Sequence, residues 1–302
     1  MYDIAVIGAG PAGLTAAVYA LRAGRSVLVL EKAAFGGQIT WSPKVENFPG
    51  VISASGNEIA DLLVSQAMEQ GAEVELEAIT GIRREEGKFL LQADSGAEFA
   101  AGAVIVATGA RPRMLGIERE EELIGSGLGF CAVCDGAFFK GKTVAVNGGG
   151  NSALQDALLL SESCSKVYLI HRRSTFRGEA KLVEALREKE NVEFVLGAGI
   201  TQLLGDKELT GVTVDCGGER REIALDGLFV AIGHQPQNGA FAELIGLDEQ
   251  GYAASGEDCL TQTPGLFVAG DCRRKKVRQL TTACADGAVA ALAACSWLDE
   301  NE

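Results

Sequence analysis

The stretch Tyr2–Lys32 reads YDIAVIGAGPAGLTAAVYALRAGRSVLVLEK. It is a short apolar run, a glycine turn, an alanine- and leucine-rich stretch of helical character, and a second apolar run ending in an acid. That order of elements is one βαβ unit. From Lys142 the chain reads KTVAVNGGGNSALQDALLLSESCSKVYLIHRR, and the same description holds. At an offset of 140 residues Gly8 and Gly10 fall on Gly148 and Gly150, Gly13 on Ala153 and Glu31 on His171. Each copy matches the dinucleotide fingerprint: the first glycine permits the tight turn, the second lets backbone approach a pyrophosphate, and the third position lets helix pack on strand. The helix N-terminus adds amide donors and the positive end of a dipole. One such turn is weak evidence, but two in register, each flanked by strand, helix and strand, are strong. They predict an α/β protein of two dinucleotide-binding, Rossmann-like domains, the second inserted into the first.

The rest of the composition agrees with this plan. A chain of 302 residues that is 47% hydrophobic is long and apolar enough for two cores. It opens with no basic segment leading into an apolar one, and no run of about 18 uncharged apolar residues occurs, so neither export nor membrane insertion is expected and a cytoplasmic location is. A net charge of −14 and a pI near 4.7 disfavour nucleic acid as a partner. Eight cysteines in so long a chain do not make a disulfide framework, and most are expected to be reduced core residues.

The ends of the two second strands differ in charge. Glu31, followed by Lys32, stands where a carboxylate accepts hydrogen bonds from adenosine ribose hydroxyls and repels a 2′-phosphate. His171, Arg172, Arg173 and then Arg177 stand at the matching end of the second copy, and guanidinium groups make charge-assisted bonds to phosphate. The first site suits FAD or NAD and the second suits NADP.

Between the two copies lies GFCAVCDGAFFK, Gly129–Lys140. A structural zinc site normally needs a second CxxC or paired histidines. Here the other cysteines, Cys164, Cys216, Cys259, Cys272, Cys284 and Cys295, are scattered singly, and the only histidines are His171 and His234. No metal site is expected. A CxxC loop permits a disulfide and lowers the pKa of one thiol, and Asp135 adds a carboxylate able to move protons. With two dinucleotide sites in the same chain, a redox centre at Cys131 and Cys134 is the favoured reading.

GAGPAG at Gly8–Gly13, FGGQIT at Phe35–Thr40, VENFPG at Val45–Gly50, ATGARP at Ala107–Pro112, CAVCDG at Cys131–Gly136, GGGNSA at Gly148–Ala153, HRR at His171–Arg173 and FVAGDCRRKKVRQL at Phe267–Leu280 occur together in this order. In them the sequence resembles the low-molecular-weight bacterial thioredoxin reductases over essentially its whole length. The resemblance implies an NADPH-dependent flavoprotein. FAD would be held by Gly8, Gly10, Pro11, Ala12, Gly13, Glu31 and Lys32, with Gly36, Gly37, Gln38 and Asn47 along the flavin. Gly270 and Asp271 would meet its ribityl or phosphate end, and Arg278, Gln279 and Leu280 would close over the isoalloxazine. NADPH would be held by Gly148, Gly150, Asn151, Ser152, His171, Arg172, Arg173 and Arg177. The resemblance gives Cys134 to the flavin and Cys131 to the protein partner, thioredoxin or a thioredoxin-like protein, and implies a homodimer.

Two positions depart from the family pattern. Asn151 stands where Asp is usual, a change expected to leave NADPH binding intact, and Ala137 interrupts the aromatic pair that often follows the dithiol. The domain plan that follows is an FAD domain of residues 1–113 and 238–302 and an NADPH domain of residues 114–237 that carries the CxxC, with the crossings at Arg111-Pro112-Arg113 and Gly233-His234-Gln235-Pro236, where glycine and proline interrupt apolar runs. The apolar stretch near the C-terminus reads as a helix packed under the flavin or at a dimer contact. Two other readings stay open: a dithiol oxidase of the same fold, whose relatives tend to carry histidine where Asp135 stands, and a non-catalytic NADP or redox sensor.

Overall fold

The computed structural model describes residues 1–301. The chain forms two compact units, Met1–Arg111 together with the chain from Gln235 onward, and Pro112–His234.

In the first unit β1 (Tyr2–Ile7) is buried and apolar in its last four residues, the pattern of a strand covered on both faces. The chain turns at Gly8 into α1 (Pro11–Arg22), with Gly10 as N-cap and Pro11 at the first helical position, where its missing N–H costs nothing. β2 (Val27–Glu31) returns parallel to β1, pairing Ile4 with Val27 and Ile7 with Leu30. α2 (Gly56–Glu69) opens with a capping box between Ser55 and Glu58, and β3 (Glu73–Leu76) extends the sheet beyond β2. A hairpin, β4 (Ile79–Glu85) and β5 (Lys88–Ala93), leads antiparallel into β6 (Glu98–Val106), which lies parallel to β1 on its other side.

The chain leaves this unit through β7 (Ala110–Pro112). In the second unit β8 (Leu128–Gly129) precedes the single-turn helix α3 (Ala132–Asp135). Next comes the second βαβ unit: β9 (Thr143–Asn147), α4 (Asn151–Ser161) and β10 (Lys166–His171). α5 (Ala180–Arg187) and β11 (Val192–Leu196) follow, then an antiparallel three-stranded sheet of β12 (Gly199–Leu204), β13 (Gly211–Cys216) and β14 (Glu219–Ala224), and finally β15 (Gly227–Val230). The main sheet is parallel throughout, in the order β11-β10-β9-β15-β8. It repeats the first unit's β3-β2-β1-β6, with an antiparallel insert at the corresponding point of the chain. The expected α/β architecture of two Rossmann-like units, one inserted in the other, is the one observed.

β16 (His234–Pro236) carries the chain back and pairs with β7, so the two crossings form one small ribbon. Arg113 N–H donates to Gly233 O at 2.9 Å and Gln237 N–H to Gly109 O at 3.2 Å, on either side of that ribbon. The division between the units falls inside it, slightly ahead of the boundaries read from glycine and proline alone. The chain then passes α6 (Ala242–Ile245) and β17 (Leu266–Val268), which pairs with the end of β6, and closes with α7 (Leu280–Asn301).

Among the described residues α7 is the one helix long and apolar enough, by length and composition, to cross a membrane. The sequence reading found no such run. Asp286 interrupts it, but alanines keep its mean hydropathy high. Ala283, Asp286, Gly287, Ala290, Ala291, Ala294, Cys295 and Leu298 are buried, and much of this face joins the core formed by α1 and the sheet, so it packs as a core helix. The closest approach is at Gly287, where an added Cβ would stand 2.1 Å from the carbonyl oxygen of Ala12. Gly287→Ala is therefore expected to push α7 off α1 and lower stability by about 1–3 kcal/mol, read by chemical denaturation.

Candidate active site

Three groups of side chains stand out, each within one unit. The first surrounds the glycine turn between β1 and α1. Gly8 has φ +109°, and a Cβ there would lie 2.4 Å from Ala107 O. A Cβ on Gly13 would lie 1.9 Å from Gly8 O, whereas one on Gly10 would meet nothing within 4 Å. The turn is thus closed toward the protein and open at Gly10, the position where a phosphate approaches. Gly37 lies beside it: a Cβ there would come within 3.2 Å of Gly10 Cα. Gly36 N–H donates to Ala9 O at 2.8 Å.

At the end of β2 the Glu31 carboxylate accepts from Ala9 N–H at 2.9 Å through one oxygen and from Ala33 N–H at 3.0 Å through the other. These bonds hold the carboxylate against the turn with lone pairs to spare for ribose hydroxyls. Lys32 reaches Gln237 Oε1 at 3.4 Å, the Gln38 amide donates to Ala110 O, and Asn47 Nδ2 donates to Gln279 Oε1 at 3.3 Å. Asn47 and Gln279, far apart in sequence, are therefore neighbours.

Gly270 and Asp271 form a 3₁₀ turn. Gly270 has φ +80°, and a Cβ on it would lie 2.8 Å from Ala12 Cβ, so this turn rests on the first turn of α1. Asp271 Oδ1 is buried with no hydrogen-bond partner among the described residues, and burial raises the carboxyl above its ordinary range. An orphaned buried acceptor beside a closed glycine turn fits a ligand that brings hydroxyl donors and a pyrophosphate, as FAD does. Arg278 lies with its guanidinium carbon 4.2 Å from the centre of the Tyr252 ring, a cation–π contact that orients it.

The sequence reading missed what holds this turn. Asp286 accepts from Arg273 Nε and Nη2 at 2.8 and 2.7 Å, from Lys275 Nζ at 2.8 Å and from Gly270 N–H at 3.0 Å. Burial would raise its carboxyl, but the bonds from Arg273 and Lys275 outweigh that and hold it below its ordinary value. Asn238, also buried, accepts from Thr108 and donates to Gly251 O and Cys272 O, tying three segments together. The signal for Asp286 was an acid inside an alanine-rich helix just after a run of basic residues. Asn238 gave none.

The second group is the dithiol. Cys131 and Cys134 form a disulfide, and Cys131 caps the single turn of α3, its sulfur accepting from Cys134 N–H at 3.2 Å. Asp135, the last residue of that turn, has Oδ1 buried without a hydrogen-bond partner among the described residues. A Cβ added at Gly129 would lie 3.2 Å from its Oδ2, so the carboxyl is pressed against β8. Burial pushes Asp135 up to about 6.

The third group surrounds the second glycine turn. A Cβ on Gly148 would meet Ala231 O at 2.4 Å and Ala153 Cβ at 2.6 Å, while Gly150 is open. Asn151 and Ser152 begin α4 and are exposed, as are Arg172, Arg173 and Arg177. His171 is different: it is buried, stacked on Phe176 at 5.5 Å, and its ring fills the space a side chain on Gly149 would need. Burial first, then the neighbouring arginine charges, lower its pKa, so it is a neutral support of the turn rather than a fourth cation.

The sequence model of the pyridine nucleotide-disulphide oxidoreductases matches residues 2–287, and the chain belongs to this family. Within it, the chain is 39% identical over 306 residues to the thioredoxin reductase of Listeria monocytogenes, covering 99% of this chain and 95% of that protein. It is 38% identical over 304 residues to the thioredoxin reductase of Bacillus subtilis, covering 99% and 96%. The crystal structure of thioredoxin reductase from Streptococcus pyogenes superposes with a TM-score of 0.94 at 34% identity, covering 99% of each chain. The expected resemblance is thus established on the whole chain, and with it the expected NADPH- and FAD-dependent disulfide chemistry of a flavoprotein enzyme.

Asp135 has a measurable signature in stability. Its carboxyl sits near 6 in the folded chain against an ordinary value of 3.8, so folding favours its protonated form. The penalty for the charged form is absent below the unfolded value, grows as pH rises from there to about 6, and is full above it. Asp135→Asn should therefore stabilise the protein by up to about 3 kcal/mol at pH 8 and by nearly nothing at pH 4, as measured by denaturant titration at both pH values.

Proposed function

We propose that the chain is a thioredoxin-disulfide reductase, moving electrons from NADPH through FAD and the Cys131–Cys134 disulfide to thioredoxin or a thioredoxin-like protein. The observation that carries this reading is the formed disulfide beside a buried acid, in the same unit as a glycine turn bordered by three exposed arginines. The outer unit would bind FAD and the inserted unit NADPH. Gly8, Gly10, Pro11, Ala12, Gly13, Gly36 and Gly37 offer backbone to the pyrophosphate, Glu31 accepts from the ribose, and Asp271 accepts from a ribityl hydroxyl. Gln38, Asn47, Arg278, Gln279 and Leu280 border the ring. The backbone of Gly148, Gly150, Asn151 and Ser152 receives the second pyrophosphate, with His171 beneath the turn, and Arg172, Arg173 and Arg177 take the 2′-phosphate.

NADPH supplies a hydride, and the flavin, when bound, relays two electrons to the disulfide. Two electrons and two protons convert Cys131–Cys134 into a dithiol. Asp135, with a carboxyl near 6, gives a proton to one sulfur as the S–S bond opens and regains one from solvent. The Cys131 thiolate attacks one sulfur of the partner's disulfide, whose other sulfur leaves and takes up a proton. Cys134 then attacks Cys131, restoring the internal disulfide and releasing the second thiol of the partner. Asp135, where dithiol oxidases tend to carry histidine, favours the reductase over that rival. The enzyme is further proposed to be a cytoplasmic homodimer without a nucleic-acid or membrane partner; the net charge of −14 supports the absence of nucleic acid.

Two experiments test the assignment. Cys134→Ser should leave Cys131 able to trap thioredoxin as a stable mixed disulfide on a non-reducing gel, and Cys131→Ser should trap none; the opposite pattern would reverse the two roles. Replacing Arg172 and Arg173 together by Ala should raise the KM for NADPH while leaving NADH use nearly unchanged, since each lost charged bond removes about 1.5–3 kcal/mol that only a 2′-phosphate receives. Equal losses with both nucleotides would refute the phosphate site.

A further inference from the structure

Arg172, Arg173 and Arg177 are exposed, and none of the three forms a salt bridge among the described residues. Their reach to a single phosphate is set by where the backbone beneath them is held. That backbone leaves β10 at His171, runs outward through Phe176 and returns onto the start of α4. Arg177 and Gly178 N–H both donate to Gly149 O, at 2.8 and 3.2 Å. Gly178 is pressed down hard: a Cβ there would lie 2.4 Å from Leu154 Cδ1 and 2.9 Å from Asn151 Oδ1.

The return is then locked by one side chain. Asn151 Oδ1 accepts from Glu179 N–H at 2.8 Å, and Asn151 Nδ2 donates to Glu179 Oε1 at 3.0 Å. The two bonds demand opposite properties of the two ends of residue 151. An amide supplies both, whereas an aspartate could satisfy the N–H but would set its other oxygen against the Glu179 carboxylate.

We propose that Asn151 and Glu179 are a positioning pair that fixes the arginine loop at the 2′-phosphate and thereby sets the preference for NADPH over NADH. This rests on the reading of Arg172, Arg173 and Arg177 as the phosphate site. The amide at 151 then has a cause: its partner across the turn, Glu179, is an acid and needs a donor. An aspartate at 151 would work only opposite a residue that donates, such as glutamine.

The test is calorimetric titration of the FAD-loaded protein, without turnover, using 2′,5′-ADP and 5′-AMP as probes. Asn151→Ala changes no charge and should weaken 2′,5′-ADP binding about tenfold and 5′-AMP binding less than about twofold, the scale of coupling between groups in direct contact. Asn151→Asp should lose at least as much. Glu179→Gln should stay near the unaltered protein, because its amide oxygen still accepts from Asn151. The double variant Asn151→Asp with Glu179→Gln exchanges donor and acceptor and should recover to within about threefold of the unaltered protein. Equal losses for both probes in Asn151→Ala, or no recovery in the double variant, would overturn the pair. If Asn151→Ala does not fold, Asn151→Ser, which keeps an acceptor for the Glu179 N–H, must show a smaller loss confined to 2′,5′-ADP, and equal loss of both probes overturns the pair. Arg172→Ala with Arg173→Ala in the same titration isolates the premise. If that variant keeps its preference for 2′,5′-ADP, the phosphate site itself is wrong; if it loses the preference while Asn151→Ala keeps it, only the positioning pair fails.

Discussion

The contact on which the most depends is the approach of helix to strand at the first glycine turn, where no atom beyond a hydrogen fits between Gly13 and the Gly8 carbonyl. That proximity seats α1 on the sheet. With α1 seated, Ala12 offers its carbonyl side to Gly287 of α7 and its methyl to the turn at Gly270. A helix displaced by the width of a methyl group would carry α7 and the Asp271 turn with it. The space left open at Gly10 exists because everything around it is closed.

The charge network under that turn is the electrostatic counterpart of the packing. Arg273 and Asp286 are almost wholly buried, which is costly for isolated ions and tolerable only because each is satisfied in several directions. Lys275 shares Asp286 with Arg273, and Arg273 also meets the exposed Glu257 at 3.4 Å, so two cations face two anions. An anionic ligand approaching the α1 turn therefore relies on the helix N-terminus and the open backbone at Gly10. One more acceptor, Asp271 Oδ1, is left for hydroxyls to satisfy.

The parts of this arrangement that repeat along the chain were legible in the sequence. Strand, glycine turn and helix recur 140 residues apart, so the two units, their nesting and the acid-versus-arginine contrast could be read from spacing. What depends on pairing across space could not. Asp286 meets Arg273 only because α7 folds back over the turn, and Glu179 lies 28 residues from Asn151. His171 looked like part of a cationic cluster; the missing side chain of Gly149 draws its ring inward, and burial discharges it. Glycine and proline marked both chain crossings, but not that β7 and β16 would pair.

That pairing bears on how such a chain could arise. The hydrogen bond from Gln237 N–H to Gly109 O brings the two ends of the outer unit as close as neighbouring strands of a hairpin. A tight turn of a few residues would join them, leaving β6 to run on toward β17 without the inserted unit. An insertion at such a place imposes almost no loop-closure entropy on its host, because the host's ends are already together. The duplicated βαβ unit could thus enter as a cassette between two residues of an existing fold, with host and guest each keeping its own sheet.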